Sequence, residues 1–234
     1  MYSAKILSLL PNIQHGFCGP MDEAMPAGTF YLRQQHSSQV VEIAGQEPAG
    51  DLSADAVFTR STRPVSVITA DCLPILVGCT SGRFVAAIHA GWKGLLGGVI
   101  ANALGAFSQA GIERQSLRIA IGPGIMACCY EVPTQLTQEL QRIHGRLWSG
   151  NQPPWFVVRP CQHANSAVAS HGEAWLSLAR YCTLLLLAEG IEAKHIEASN
   201  LCTYCSGLGL ASYRRRHHRA EAKAFQYSWI RCLS

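Results

Sequence analysis

Short, dense apolar runs dominate the N-terminal part of the chain. Residues 65–70 (VSVITA), 74–78 (PILVG) and 84–90 (FVAAIHA) are β-branched and apolar, and read as strands. Residues 30–32 and 39–43 are extended candidates on either side of the polar Gln34-Gln35-His36, and 56–59 is a short one. From Gly94 the spacing becomes helical. Residues 94–111 carry Leu, Ala, Val and Ile at helix intervals, with Gly97 and Gly98 weakening the first turn. Residues 117–121 predict a buried strand ending in the turn Gly122-Pro123-Gly124, and 134–147 predict a helix. After a turn-rich loop at 150–154, a second helix is expected over 172–190, stopped by Gly190. Late strands are expected over 206–213 and 224–230. This irregular alternation predicts a mixed α/β fold with helices covering a sheet. The loop at Gly150 is the one candidate boundary, and neither half holds a complete set of motifs, so a single α/β domain over 1–234 is expected.

Composition narrows the picture. With 48% hydrophobic and 15% charged residues over 234 positions, the chain can bury a core and disorder is excluded. A net charge of +4 is too mild to argue for nucleic acid or membrane partners. The N-terminus MYSAKILSLLPN lacks the longer apolar stretch and cleavage site of a signal peptide, and the dense run 183–188 is too short to cross a bilayer. The expectation is a cytoplasmic protein whose ten cysteines are mostly reduced.

Two of the strand-like segments carry chemistry at their ends. Cys72 precedes one and His89 ends the next, with CTSG (79–82) between them. A two-residue hairpin loop centred on Thr80-Ser81 would set Cys72 opposite His89, with Cβ atoms about 5 Å apart. A thiolate and an imidazole at that separation suit zinc or copper, or a Cys–His nucleophile pair, while a buried thiol and a core histidine is the plain alternative. His36, in the polar stretch QQHSSQV, would complete a three-ligand set with one open position, as in catalytic zinc sites. His15, His144, His163, His171, His195, His217 and His218 compete, and the residues alone do not choose among them.

Longer motifs carry a resemblance. Gln34-Gln35-His36, Asp55-Ala56-Val57-Phe58-Thr59, Thr69-Ala70-Asp71-Cys72-Leu73-Pro74 and His89-Ala90-Gly91-Trp92-Lys93-Gly94 run in that order. Ile121-Gly122-Pro123-Gly124-Ile125, Cys129-Tyr130-Glu131-Val132, Cys202-Thr203 and Ser212-Tyr213-Arg214-Arg215 follow. Together they resemble the bacterial YfiH-like proteins, also called the laccase-domain or multicopper-independent polyphenol oxidase family. The resemblance implies a single-domain α/β sandwich and a metal, zinc or alternatively copper, held by His36, Cys72 and His89. It also implies purine nucleoside phosphorylase activity on adenosine, inosine, guanosine or methylthioadenosine, with adenosine deamination beside it. Departures from the family pattern, Leu210-Ala211 before Ser212 and His218-Arg219 after it, lie toward the C-terminus and bear on substrate preference.

Roles follow from that chemistry. His36, Cys72 and His89 form the catalytic centre, and Asp71 beside the ligand is the candidate proton shuttle, with Glu131 in reserve; a holding role for Asp71 is the alternative. Phosphorolysis needs positive charge for a dianion, which points to Arg214 and Lys93, and Gln34 is assigned to the substrate with them. Gly122-Pro123-Gly124 is a weak candidate for backbone donors to phosphate. Trp92 is a candidate base-stacking ring, with a core role as the alternative. Copper-dependent oxidation of small phenols is the second function. Nucleic-acid binding through 214–219 is the third, opposed by the mild charge and the lack of a recognised motif. The other cysteines are expected to be small buried hydrophobes. Cys202-Thr203-Tyr204-Cys205 has no second C-x-x-C, and the adjacent Cys128-Cys129 suit a zinc finger poorly, so a second, structural zinc is not expected.

Overall fold

A computed structural model describes residues 1–22, 25–160 and 173–234. The elements run α1 (Lys5–Ser8), β1 (Ile13–Cys18), β2 (Phe30–Tyr31), β3 (Val40–Ile43), β4 (Ala56–Thr59), β5 (Val65–Thr69), β6 (Leu73–Cys79) and β7 (Val85–Ala90). They continue α2 (Trp92–Leu96), α3 (Val99–Gln109), β8 (Leu117–Ile121), β9 (Glu131–Val132), α4 (Thr134–His144), β10 (Trp155–Phe156) and β11 (Ala174–Leu176). The last are α5 (Leu178–Ala188), β12 (Ile196–Ala198), α6 (Tyr213–Arg219) and β13 (Gln226–Cys232).

The fold is mixed α/β, as expected. A six-stranded mixed sheet, β12-β8-β6-β7-β4-β3, forms the centre, and a four-stranded sheet, β1-β13-β5-β2, packs on one face. Helices α3, α4 and α5 cover the other face. Strand alternation divides the central sheet cleanly. Ile75 and Val77 of β6 and Ala86 and Ile88 of β7 join Leu104, Phe107 and Leu140 on the helical side. Leu76, Val85 and Ala87 join Val65, Val67 and Ile230 between the sheets. Strands buried on both faces read as unbroken apolar runs, which is why β4 to β8 are legible in the sequence. Phe58, Phe84 and Phe107 anchor the helical side, with ring centroids 4.9–5.8 Å apart.

Several expectations need correction. The hairpin between β6 and β7 turns through four residues, not two, and pairs Pro74 with His89 and Leu73 with Ala90. Continuing that register sets Cys72 opposite Gly91, so Cys72 and His89 are diagonal neighbours. The expected helix 94–111 is two helices, broken where Gly98 takes φ +88°. The helix expected over 134–147 ends as α-helix at His144 and tightens into a 3₁₀ turn over Gly145–Trp148. The helix expected over 172–190 starts only at Leu178, because residues Ala174–Leu176 pair in a small sheet; Gly172 lies outside the described residues. Residues 206–212 form no strand, and Tyr213 opens α6, capped by the Ser212 hydroxyl accepting from Arg215 N–H. Strand β1 escapes the pattern because His15 and Gly16 interrupt its apolar run.

Candidate metal centre and substrate cavity

The three expected ligands meet where the two sheets adjoin. Cys72 ends the link from β5 to β6, His89 lies on β7, and His36 stands on the loop between β2 and β3. Their donor atoms all lie within 4.8 Å of one another. Cys72 Sγ is 3.7 Å from His36 Nε2, and the two imidazoles cross edge to face with centroids 4.8 Å apart.

Asp55 sits in one of the motifs without an expected role, and it organises this cluster. The β4–β7 register, extended by one pair, sets it opposite His89. Its Oδ1 accepts the His89 Nδ1–H at 2.7 Å, which turns Nε2 toward Cys72. The same carboxylate accepts the backbone N–H groups of Gln35, His36 and Ser37 and the Ser37 hydroxyl, at 2.6–3.1 Å. One buried carboxylate therefore fixes two ligands from two elements, including His36 at φ +58°. The available signal is an acidic residue at the head of a buried strand; its partners lie 18 to 34 residues away in sequence.

Gly91 of the H-A-G-W match has a steric reason. A Cβ there would stand 2.8 Å from Cys72 Sγ and 3.1 Å from His36 Cδ2. A side chain opposite Cys72 would occupy the space the ligands need.

In the metal-free cluster the electrostatics favour a thiolate paired with an imidazolium, and a bound metal would take the place of the His89 proton. Burial alone would raise the Cys72 thiol, but hydrogen bonds from His36 and His89 outweigh it and bring it down to about 7. Burial would lower His89, but its bonds to Asp55 and Cys72 raise it to about 9. Burial works against Asp55 too, and its donors, His89 and Ser37 foremost, still hold it well below the usual carboxylate range. A thiolate and two imidazoles around one point suit zinc or copper. Donors on one such ion stand roughly 3.5 Å apart, close to the His36–Cys72 separation. The donor set and its spacing fit a zinc or copper ion.

A cavity of about 710 Å³ opens over the cluster. Its lining includes all the expected site residues: Gln34, His36, Asp71, Cys72, His89, Lys93 and Arg214. Their commitments differ. Gln34 donates from Nε2 to Ile68 O and accepts from Ile68 N–H, both at 2.7 Å, so its amide ties the loop to β5. Asp71, at φ +86°, accepts from Thr203 Oγ1–H and from Arg214 N–H, each at 2.6 Å. Burial raises its carboxyl against the pull of those donors. Glu131 does not line the cavity and pairs with Arg214, Oε1 to Nη1 2.6 Å. Lys93 Nζ lies 5.6 Å from the Trp92 ring centroid.

Two further features bear on the cavity. Thr69 lines the cavity and opens the motif that holds Asp71 and Cys72; its Oγ1 is buried and has no hydrogen-bond partner among the described residues. The Gly122-Pro123-Gly124 turn does not line the cavity, and the N–H groups of Gly122 and of the following Ile125 are taken by Pro74 O and Asp71 O. Of the competing histidines, His163 and His171 lie outside the described residues. Among the described residues the others stand apart from the cluster: His15 accepts from Ala4 N–H and His144 bonds Tyr181. Arg214 and Arg215, which follow the strand expected over 206–213, lie on α6. Arg215 reaches the carbonyls of Thr203, Tyr204 and Leu210 and the Glu221 carboxylate. Among the described residues no helix is long and apolar enough to cross a membrane.

Comparisons with known proteins agree with this picture. A family model described as multi-copper polyphenol oxidoreductase laccase matches residues 21–230. Purine nucleoside phosphorylase YfiH of Shigella flexneri is 28% identical over 208 residues, 88% of this chain and 75% of that protein. Adenosine deaminase RL5, from an unknown prokaryotic organism, is 30% identical over 192 residues, 78% of this chain and 68% of that one. The crystal structure of YlmD from Geobacillus stearothermophilus aligns with a TM-score of 0.74 at 24% identity, over 88% of this chain and 74% of that one, a likeness of fold. By sequence match and by architecture, the chain belongs to the YfiH-like, laccase-domain family.

Proposed function

We propose that the protein is a purine nucleoside phosphorylase, with adenosine deamination as a second reaction in the same cavity. The observation that carries the reading is the cavity itself, about 710 Å³, lined by a three-ligand soft-donor cluster and by two cationic side chains. Relatives bearing both activity names support it.

In phosphorolysis a phosphate oxygen bonds to C1′ of the ribose while the C1′–N9 bond breaks and the purine leaves with its electron pair. Arg214 and Lys93 hold the dianion. Glu131 engages Nη1 and one side of Nη2 of Arg214, which leaves Nε and the other Nη2–H for the incoming anion. Trp92, Tyr130 and Tyr213 line the cavity and are the aromatic rings a purine base would meet there. His36, Cys72 and His89 would hold zinc, or alternatively copper, which when bound supplies Lewis-acid polarisation and activation of water at neutral pH. Asp71 holds the N-terminus of α6, and with it Arg214, in place; its committed oxygens favour this role over a proton shuttle.

The test is Arg214→Ala. The phosphate KM rises by at least about tenfold while deamination of adenosine, which uses no phosphate, changes far less. Equal losses in both reactions contradict the assignment.

The second reading, copper-dependent oxidation of phenols, draws on the description of the matching family and on the soft donors. Reduction of oxygen to water draws on several coppers, and among the described residues one cluster contains histidine. Phenol oxidation by copper-loaded protein, absent from the zinc-loaded form and faster than any turnover of purine nucleosides, would reverse the order of the two readings.

A further inference from the structure

A second group of donors stands behind the cavity wall. Cys128, Cys129, Cys202 and Cys205 bring their sulfurs within 4.8 Å of one another, with Cys128 Sγ and Cys205 Sγ 3.6 Å apart. The topology explains the meeting. Strands β8 and β12 run parallel and side by side, so the loops leaving their C-terminal ends emerge together. Gly124 bridges to Cys202, and Thr203 N–H donates to Gly124 O, which stitches the two loops directly in front of the cysteines. The C-x-x-C therefore has its partner pair in Cys128-Cys129, distant in the chain, and not in a second C-x-x-C.

We infer that these four cysteines form a closed, tetrahedral structural zinc site, separate from the His36–Cys72–His89 centre. Sulfurs around one zinc, each about 2.3 Å from the metal, stand about 3.8 Å from one another, and the observed cluster needs only a small contraction. Cys202 Sγ accepts the Met126 N–H at 3.5 Å, an amide donation that supports a bound thiolate. The Arg159 Nε–H donates to Cys128 O at 2.7 Å, bringing a cation beside a site that would carry net negative charge. Three of the sulfurs are buried, and Cys205 is half-buried on a surface cleft, which gives a metal its way in. The remaining described cysteines, Cys18, Cys79, Cys182 and Cys232, are buried and join no such group among the described residues.

The site ties down what the cavity depends on. Thr203, between two of the ligands, donates to Asp71, and Tyr130 and Glu131 follow Cys129 directly, with Glu131 on Arg214. Zinc here would fix both supports of α6 without touching substrate.

The test is metal stoichiometry on the full chain, purified without chelator and reloaded with zinc. The expected count is two per chain. It falls to one in Cys72→Ala, and to one in Cys202→Ser. Cobalt(II) substituted into Cys72→Ala should give the strong thiolate-to-cobalt charge-transfer absorption of a four-sulfur tetrahedral site, lost on adding Cys202→Ser. If Cys202→Ser does not fold, thiol counting on the unmutated chain replaces it: zinc protects four thiols beyond Cys72, and a chelator exposes them. The cobalt signal does not depend on the nucleoside chemistry, so failure of one proposal is distinguishable from failure of the other. A four-sulfur cobalt spectrum that is absent, or a native Cys128–Cys205 disulfide found by mass spectrometry, would overturn the inference.

Discussion

At the scale of single residues, the centre is a thiolate and an imidazolium held together by one carboxylate. In metal-free protein Cys72 should therefore be alkylated with a half-maximal rate near pH 7, and bound metal should protect it; a curve centred in the ordinary thiol range would contradict the proposed electrostatics. Asp55 should matter more than its distance from substrate suggests. Asp55→Asn keeps the shape but puts an amide where several donors converge, and metal affinity should drop about 10- to 100-fold by equilibrium titration. The same residue sets an acid limit. Its folded carboxyl lies below the unfolded value of about 3.9, so its stabilisation is present above that pH and is lost as pH falls beneath it. His89 in metal-free protein works the opposite way. Its contribution is full below about pH 6.5 and is lost as pH rises through about 9. Unfolding measured across pH should show a shallower acid limb in Asp55→Asn than in the unmutated chain.

At the scale of elements, α6 is short and is held from its first turn: its leading N–H groups are capped by Ser212 and Asp71, and Asp71 is held in turn by Thr203. Thr203→Val removes a buried bond to a carboxylate. It should cost about 2 kcal/mol, roughly 4–8 °C in Tm, and should raise the phosphate KM through Arg214 more than it lowers kcat. A normal KM with only the stability loss would separate α6 from phosphate binding. The same element shows where the sequence stops being readable. Strands β4 to β8 announce themselves because both of their faces are buried, so nearly every position is apolar. Residues 206–212 resemble a strand because Leu208, Leu210 and Ala211 are apolar, while the charges after Ser212 obscure the capping serine that starts α6. The hairpin register differs by one pair because CTSG allows a two-residue turn, and only the pairing of β6 with β7 shows that four residues turn. His36, Cys72 and His89 are legible through motif order. Asp55 and Thr69 open two of those motifs, but their roles, like the meeting of the four cysteines, are not legible, because their surroundings assemble only when strands distant in sequence lie side by side.

At the scale of the whole molecule, a central sheet buried on both faces delivers ligands from three separate segments to the junction with the second sheet. The cavity forms where β5 leaves one sheet for the other, and α2 and α6 close around it. Helices on the far face stiffen this frame but supply little to the site. The reaction proposed for this junction is phosphorolysis of purine nucleosides. It is tested most directly by incubating zinc-loaded protein and Cys72→Ala with adenosine, with and without phosphate, and following adenine, ribose-1-phosphate and inosine by chromatography. The expected result is adenine and ribose-1-phosphate in equal amounts, only with phosphate and only with Cys72 intact. Adenine formed without phosphate, undiminished turnover in Cys72→Ala, or no turnover of adenosine would contradict it.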